Sequence, residues 1–185
     1  GDFPNDGVEA LAFGQARTLY LGVEKDINKQ ARIFSLQMNS EFWQSDEFAV
    51  VTTFALKLPV FDSGNHPLNG MDYYQTADGG EYLLVAARND ETLWVVDLSG
   101  NKETVILPID FFAEIKTSSE GCENYEAMDN ASIEGVAVID NTLWLINDPW
   151  KAVYLNNVQC FQNRPHYQMF APLLFSLPIQ SEWFE

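Results

Sequence analysis

The stretch IEGVAVIDNTLWLINDPWKAVYL, Ile133–Leu155, reads as a β-hairpin with acidic ends. An apolar run opens on Glu134-Gly135, turns at Asp140-Asn141 and returns as a second apolar run that ends in Asn147-Asp148. Carboxylates bracketing a hairpin that is otherwise built for burial are unusual. The same layout recurs twice upstream, with Asn69 in LNGMDYY and Glu9 in VEALAF standing where Glu134 stands, 65 and 60 residues earlier in turn. A repeat of this length is read before anything else, because it sets the architecture.

Each unit resolves into short strands rich in β-branched and aromatic residues, separated by turn residues. The first unit, approximately residues 6–58, has strands at Val8–Phe13, Arg17–Val23, Ala31–Leu36 and Phe48–Leu56. The second, approximately 66–115, has Asn69–Tyr74, Tyr82–Ala87, Thr92–Leu98 and a strand opening at Thr104, with Asp78-Gly79-Gly80 as a tight turn. In the third, approximately 131–180, Ile133–Val138, Asn141–Ile146, Ala152–Leu155 and Leu173–Leu177 make the same count of four. Between the last two units, Ile109–Ile115 is expected to be helical and Ser118–Asn130 to form a polar loop.

Short strands, frequent turns and a period near 60 predict an all-β chain, a β-propeller of four-stranded blades. A sandwich of a dozen strands gives no reason for the period. Propellers usually have about 4–8 blades, so three units make about half of a six-bladed ring. The single domain or half-domain over residues 1–185 then has open blade edges that a second chain or a missing half completes.

With 27 acidic against 10 basic residues, a net charge of −17 repels phosphate backbones and anionic lipid, which argues against nucleic-acid and membrane partners. Two readings of that charge stand: solubility in an extracellular setting, and a local acidic cluster that takes a hard cation such as calcium. No run reaches the roughly 20 apolar residues of a membrane helix, and no signal peptide is visible. Secretion or a periplasmic location is the expectation. Cys122 and Cys160 have no CxxC spacing, so a disulfide and a pair of buried thiols are both open. Asn130-Ala131-Ser132 fits a glycosylation acceptor, a pattern common by chance.

The runs VEALAFGQARTLYLGVEK with ARIFSL, YLLVAARNDETLWVVDL and IEGVAVIDNTLWLINDPW together resemble the esterase-like phytase family of six-bladed propellers, over about Asp6 to Leu155. More loosely they are similar to the calcium-dependent gluconolactonase and phosphotriesterase propellers. The resemblance implies two groups of side chains around one channel mouth: Glu9, Asn69 and Glu134, where the inner strands start, and Glu24, Arg88 and Asp148, where the second strands end. It departs from a strict carboxylate ring at Asn69, and Ala10 stands where the other units have Gly70 and Gly135.

The chemistry of these residue types agrees with that placement. Glu9, Asn69 and Glu134 offer hard oxygens suited to calcium. Arg88 suits a phosphate in its planar fork, and Glu24 or Asp148 is a candidate general base. The expected activity is calcium-dependent hydrolysis of phosphate or carboxylic esters, with a small-molecule ester or phosphate as ligand; the alternative is a non-catalytic propeller module that binds a ligand or a protein. His66 and Trp150 are candidate ligand-binding residues on the same face. Each position also has a structural reading: polar residues at strand starts bond neighbouring backbone, and Glu24, Arg88 and Asp148 pair as ions between blades. No GxSxG, HExxH or phosphate-loop pattern occurs, which argues against a serine hydrolase or a zinc protease.

Overall fold

The computed structural model describes residues 7–24, 30–38, 50–53, 58, 68–88, 91–115, 119–128, 131–148, 158–167 and 172–185. His66, Trp150, Asn130 and the expected strand Ala152–Leu155 lie outside the described residues. The chain is all-β, in four small antiparallel sheets. The first has the order β1-β2-β3-β4, with β1 at Val8–Phe13, β2 at Thr18–Val23, β3 at Arg32–Gln37 and β4 at Val50–Thr53. The second repeats this as β5 (Gly70–Gln75), β6 (Glu81–Ala87), β7 (Thr92–Asp97) and β8 (Val105–Pro108). The third is β11 (Ile133–Ile139), β12 (Thr142–Asn147) and β13 (Leu174–Pro178); a two-stranded sheet pairs β9 (Phe111–Glu114) with β10 (Tyr125–Met128). Among the described residues, no helix is long and apolar enough to cross a membrane.

Turn chemistry explains the hairpins. Asp140 and Asn141 both have positive φ, 47° and 60°. They link Ile139 to its partner Thr142 in a two-residue turn whose twist matches that of the strands. Gly79, at φ +92°, lets the β5–β6 connection close. At the end of β7 the Asp97 carboxylate accepts bonds from the Ser99 hydroxyl (2.6 Å) and from the backbone N–H groups of Ser99, Asn101 and Lys102. Burial opposes its ionisation, but these donors outweigh burial and draw the pKa below the usual aspartate value.

The second sheet lies between the other two, which is why β6 and β7 read as unbroken apolar runs and are buried along nearly their whole length. One face packs Leu83, Val85, Trp94 and Val96 against Ala10, Ala12, Tyr20 and Ile33 of the first sheet. The other packs Leu84, Ala86, Leu93 and Val95 against Ile133, Leu143 and Leu145 of the third, with Phe111, Ala113, Ile115 and Met128 filling between. Strands β1 and β11 both lie against β5. The outer faces of the first and third sheets are less covered: Leu11, Phe13, Ile139, Ile146 and Leu174 are exposed.

Three expectations are corrected. Ile109–Ile115 is not helical: Phe111 and Ala113 are buried while Phe112 and Glu114 are exposed, a period of two that makes β9 a strand. The expected polar loop over Ser118–Asn130 contains its partner, with Met128 opposite Phe111. In the third sheet β13, expected as the fourth strand, is paired directly to β12, with Phe175 opposite Leu145.

The cysteines are joined as a disulfide, Cys122–Cys160, which resolves the two readings of the sequence. It ties the segment after residue 158 to the β9–β10 hairpin. Buried Glu126 reinforces the tie, accepting from the Asn163 side-chain amide (2.7 Å) and the Gln159 backbone N–H (3.0 Å). Asn163 accepts in turn from the Ser119 N–H at 2.9 Å.

Candidate functional site

The three units align in register as well as in sequence. Ala10 faces Gly22, Gly70 faces Ala86 and Gly135 faces Ile146, so that Glu9, Asn69 and Glu134 precede equivalent pairs and Glu24, Arg88 and Asp148 follow them by two residues. Glu9 and Glu134 each sit at a register shift, between Val8 and Ala10 and between Ile133 and Gly135. Such bulges release one side chain from the alternation of a strand and re-aim it. The two acids thus share a backbone device as well as a place in the repeat.

Close packing of β5 on β11 brings the second and third units together at this end. A Cβ on Gly70 would lie 2.8 Å from the Glu134 carbonyl oxygen and 3.1 Å from the Gly135 Cα, so only glycine allows this approach. The Asn69 N–H donates to the Ala86 carbonyl at 3.2 Å, and its side-chain oxygen accepts the Arg88 N–H at 3.2 Å. Asn69 is buried and holds the backbone from which Arg88 projects. The Arg88 guanidinium in turn forms an ion pair with the Glu134 carboxylate across the seam between the sheets, both side chains about a quarter exposed (27% and 29%).

Asp148 is placed by the third hairpin, its N–H donating to the Ser132 carbonyl at 3.0 Å. Its neighbour Asn147, buried, accepts the Leu173 N–H at 2.6 Å and so fixes the strand end. Burial raises the Glu134 pKa above the usual glutamate range; the Arg88 hydrogen bond and charge oppose this, and the charges of Asp148 and Glu9 add to the rise. Four charged groups, from β1, from the end of β6, from β11 and from the end of β12, therefore act within one electrostatic field.

Of the expected residues, the structure brings together Glu9, Asn69, Arg88, Glu134 and Asp148. Glu24 holds the equivalent place in the first unit but is buried, at 3% exposure, unlike the exposed Glu9 and Asp148. As a ready calcium cage, Glu9, Asn69 and Glu134 fit poorly. Their oxygens are of the right hardness, but the Asn69 oxygen is engaged with backbone and the Glu134 carboxylate with Arg88. Among the described residues, no three Asp, Glu, His or Cys side chains gather as a metal site. Arg88 forms its ion pair across two sheets with Glu134, a residue of the other expected group.

Sequence reasoning missed Asn147 and the Glu126–Asn163 pair. Asn147 carried a signal, since it immediately precedes the acid that closes the hairpin; Glu126 carried none, because its partner lies 37 residues away. The chain matches no model of a known protein family and no curated protein.

Proposed function

We propose that the three larger sheets are blades of a β-propeller, about half of a six-bladed ring, and that the Arg88–Glu134 cluster lies at its channel mouth and hydrolyses phosphate or carboxylic esters. The observation that carries this reading is a partly buried carboxylate whose pKa is raised, held against a guanidinium at the convergence of three strand ends. Perturbed carboxylates of this kind serve as general bases. Arg88 turns its fork from Glu134 to the phosphoryl or carboxyl oxygen of the ester. Glu134 then takes a proton from water as the water oxygen bonds to phosphorus or acyl carbon, and returns that proton to the alkoxide oxygen as the ester bond breaks, so that a neutral alcohol leaves. Calcium belongs to the proposal as an ion drawn by Glu9 and Asp148, with no step assigned to it. The disulfide supports an exported protein, secreted or periplasmic.

A second reading, a non-catalytic module that binds a ligand or protein, is favoured by the mutual satisfaction of Arg88 and Glu134. The apolar outer faces of the first and third sheets favour a second chain, or a further part of the ring, covering them.

Turnover of p-nitrophenyl phosphate and p-nitrophenyl acetate, each with calcium and with chelator, separates the readings. Hydrolysis that falls by about 100-fold or more in Glu134→Gln and in Arg88→Ala is the expected result. Turnover of neither ester under either condition leaves the binding module. A calcium-dependent rise in melting temperature, lost in the double variant Glu9→Gln/Asp148→Asn, would establish the ion.

A further inference from the structure

A second concave surface lies at the opposite end of the strands, about 20 Å from the Arg88–Glu134 cluster, since β5 and β11 each run six or seven residues away from it. It is a groove of about 1040 Å³, counting the space open to solvent. The turn after β5, the Asp140-Asn141 turn and the segment after β13 line it. From this groove we infer a binding site for a neutral saccharide.

The half-buried Tyr74 gives the groove its aromatic surface, and the buried rings of Phe184 and Tyr82 back it rigidly. Tyr74 stacks on Phe184 with ring centroids 5.0 Å apart, and Phe184 also contacts Tyr82 at 4.7 Å. The Tyr74 hydroxyl donates to the Asn141 side-chain oxygen at 3.0 Å, the Tyr82 hydroxyl to the Phe184 carbonyl at 3.4 Å, and the Lys102 ammonium to the same carbonyl. A wall already fixed in place loses little freedom when a ligand arrives.

Polar groups stand beside the wall. Asn141 uses its oxygen for Tyr74 and leaves its amide N–H₂ without a partner among the described residues. Gln180 uses its N–H₂ for the Pro178 carbonyl at 3.0 Å and leaves its oxygen. Asp78, whose carboxylate already accepts from Thr76 and from backbone N–H groups, and Glu185 add negative charge, and among the described residues no lysine, arginine or histidine lines the groove, Lys102 standing behind it on the Phe184 carbonyl. Anions are therefore repelled, the more so by a chain of net charge −17. The Tyr74 ring beside the Asn141 amide N–H₂ and the Gln180 side-chain oxygen matches the apolar face and hydroxyl rim of a sugar ring.

The test is titration of the protein with cellotetraose, xylotetraose and mannotetraose, followed by amide NMR. The expected result is saturable shifts at millimolar saccharide in the Asn141 side-chain amide and in residues 76–80. Asn141→Gly keeps the turn, because glycine accepts the φ of 60°; it should weaken binding about tenfold, as should Tyr74→Ala, each removing one good contact. The inference is overturned if none of the three saccharides gives saturable shifts. It is equally overturned if binding survives both substitutions, or if spermidine moves the same signals while the saccharides do not.

Discussion

Trp94→Ala is expected to destabilise the protein by about 3–5 kcal/mol, the range for removing a fully buried large aromatic side chain. The indole sits in the middle of β7 opposite Val85, at 2% exposure, in the core cluster that joins the first and second sheets. Its first-sheet neighbours in that cluster are Ala10, Ala12, Tyr20 and Ile33, and the one large ring among them, Tyr20, is already stacked with Tyr73. Urea unfolding should show a lower midpoint with an unchanged slope. A loss below about 1 kcal/mol would mean that the seam between these sheets is not packed as described. The seam also matters for the site, because it presses β1 against β5 and so sets Glu9 near Glu134.

The second large effect is expected from the disulfide. Cys122 and Cys160 are 38 residues apart, and closing a loop of that length is worth about 3–4 kcal/mol through the unfolded chain. The double variant Cys122→Ala/Cys160→Ala should lose stability of that order, and dithiothreitol should do the same to the parent protein. A much smaller loss would show that the hydrogen bonds through Glu126 and Asn163 hold the segment by themselves. Glu126→Gln separates these contributions, because it keeps an acceptor for one donor and gives up the other.

Strand positions were legible in the sequence wherever a local signal existed. The apolar runs around Leu83 and Val95 and the Asp140-Asn141 turn carry their structure within a few residues, whereas in Val8–Phe13 the strand was legible but not its inner face, since Ala10 and Ala12 are buried and the larger Leu11 and Phe13 are exposed. Glu9, Asn69 and Glu134 were legible because the repeat places them, although the bulges that re-aim the two glutamates show only in the pairing register. What failed lacked a local cause. The segment Phe111–Glu114 becomes a strand because Tyr125–Met128 pairs with it across an intervening loop. Likewise β13 takes the place beside β12 through a contact that spans about thirty residues of chain. The Arg88–Glu134 pair joins groups 46 residues apart, and no spacing rule announces it.

The central claim is that Glu9, Arg88, Glu134 and Asp148 form one electrostatic site. Its most direct test is the titration of the Glu134 carboxyl carbon by NMR. The predicted midpoint lies above the ordinary value of 4.5, because burial and two neighbouring acids outweigh Arg88. It should rise further in Arg88→Ala and fall in Glu9→Gln/Asp148→Asn. The stability linked to this group follows the same sign: it is fully present below pH 4.5 and is lost as the pH rises through the raised value. Asp97 runs the other way, its contribution present above pH 3.8 and lost as the pH falls. A Glu134 midpoint at or below 4.5 that none of these substitutions moves would contradict the account.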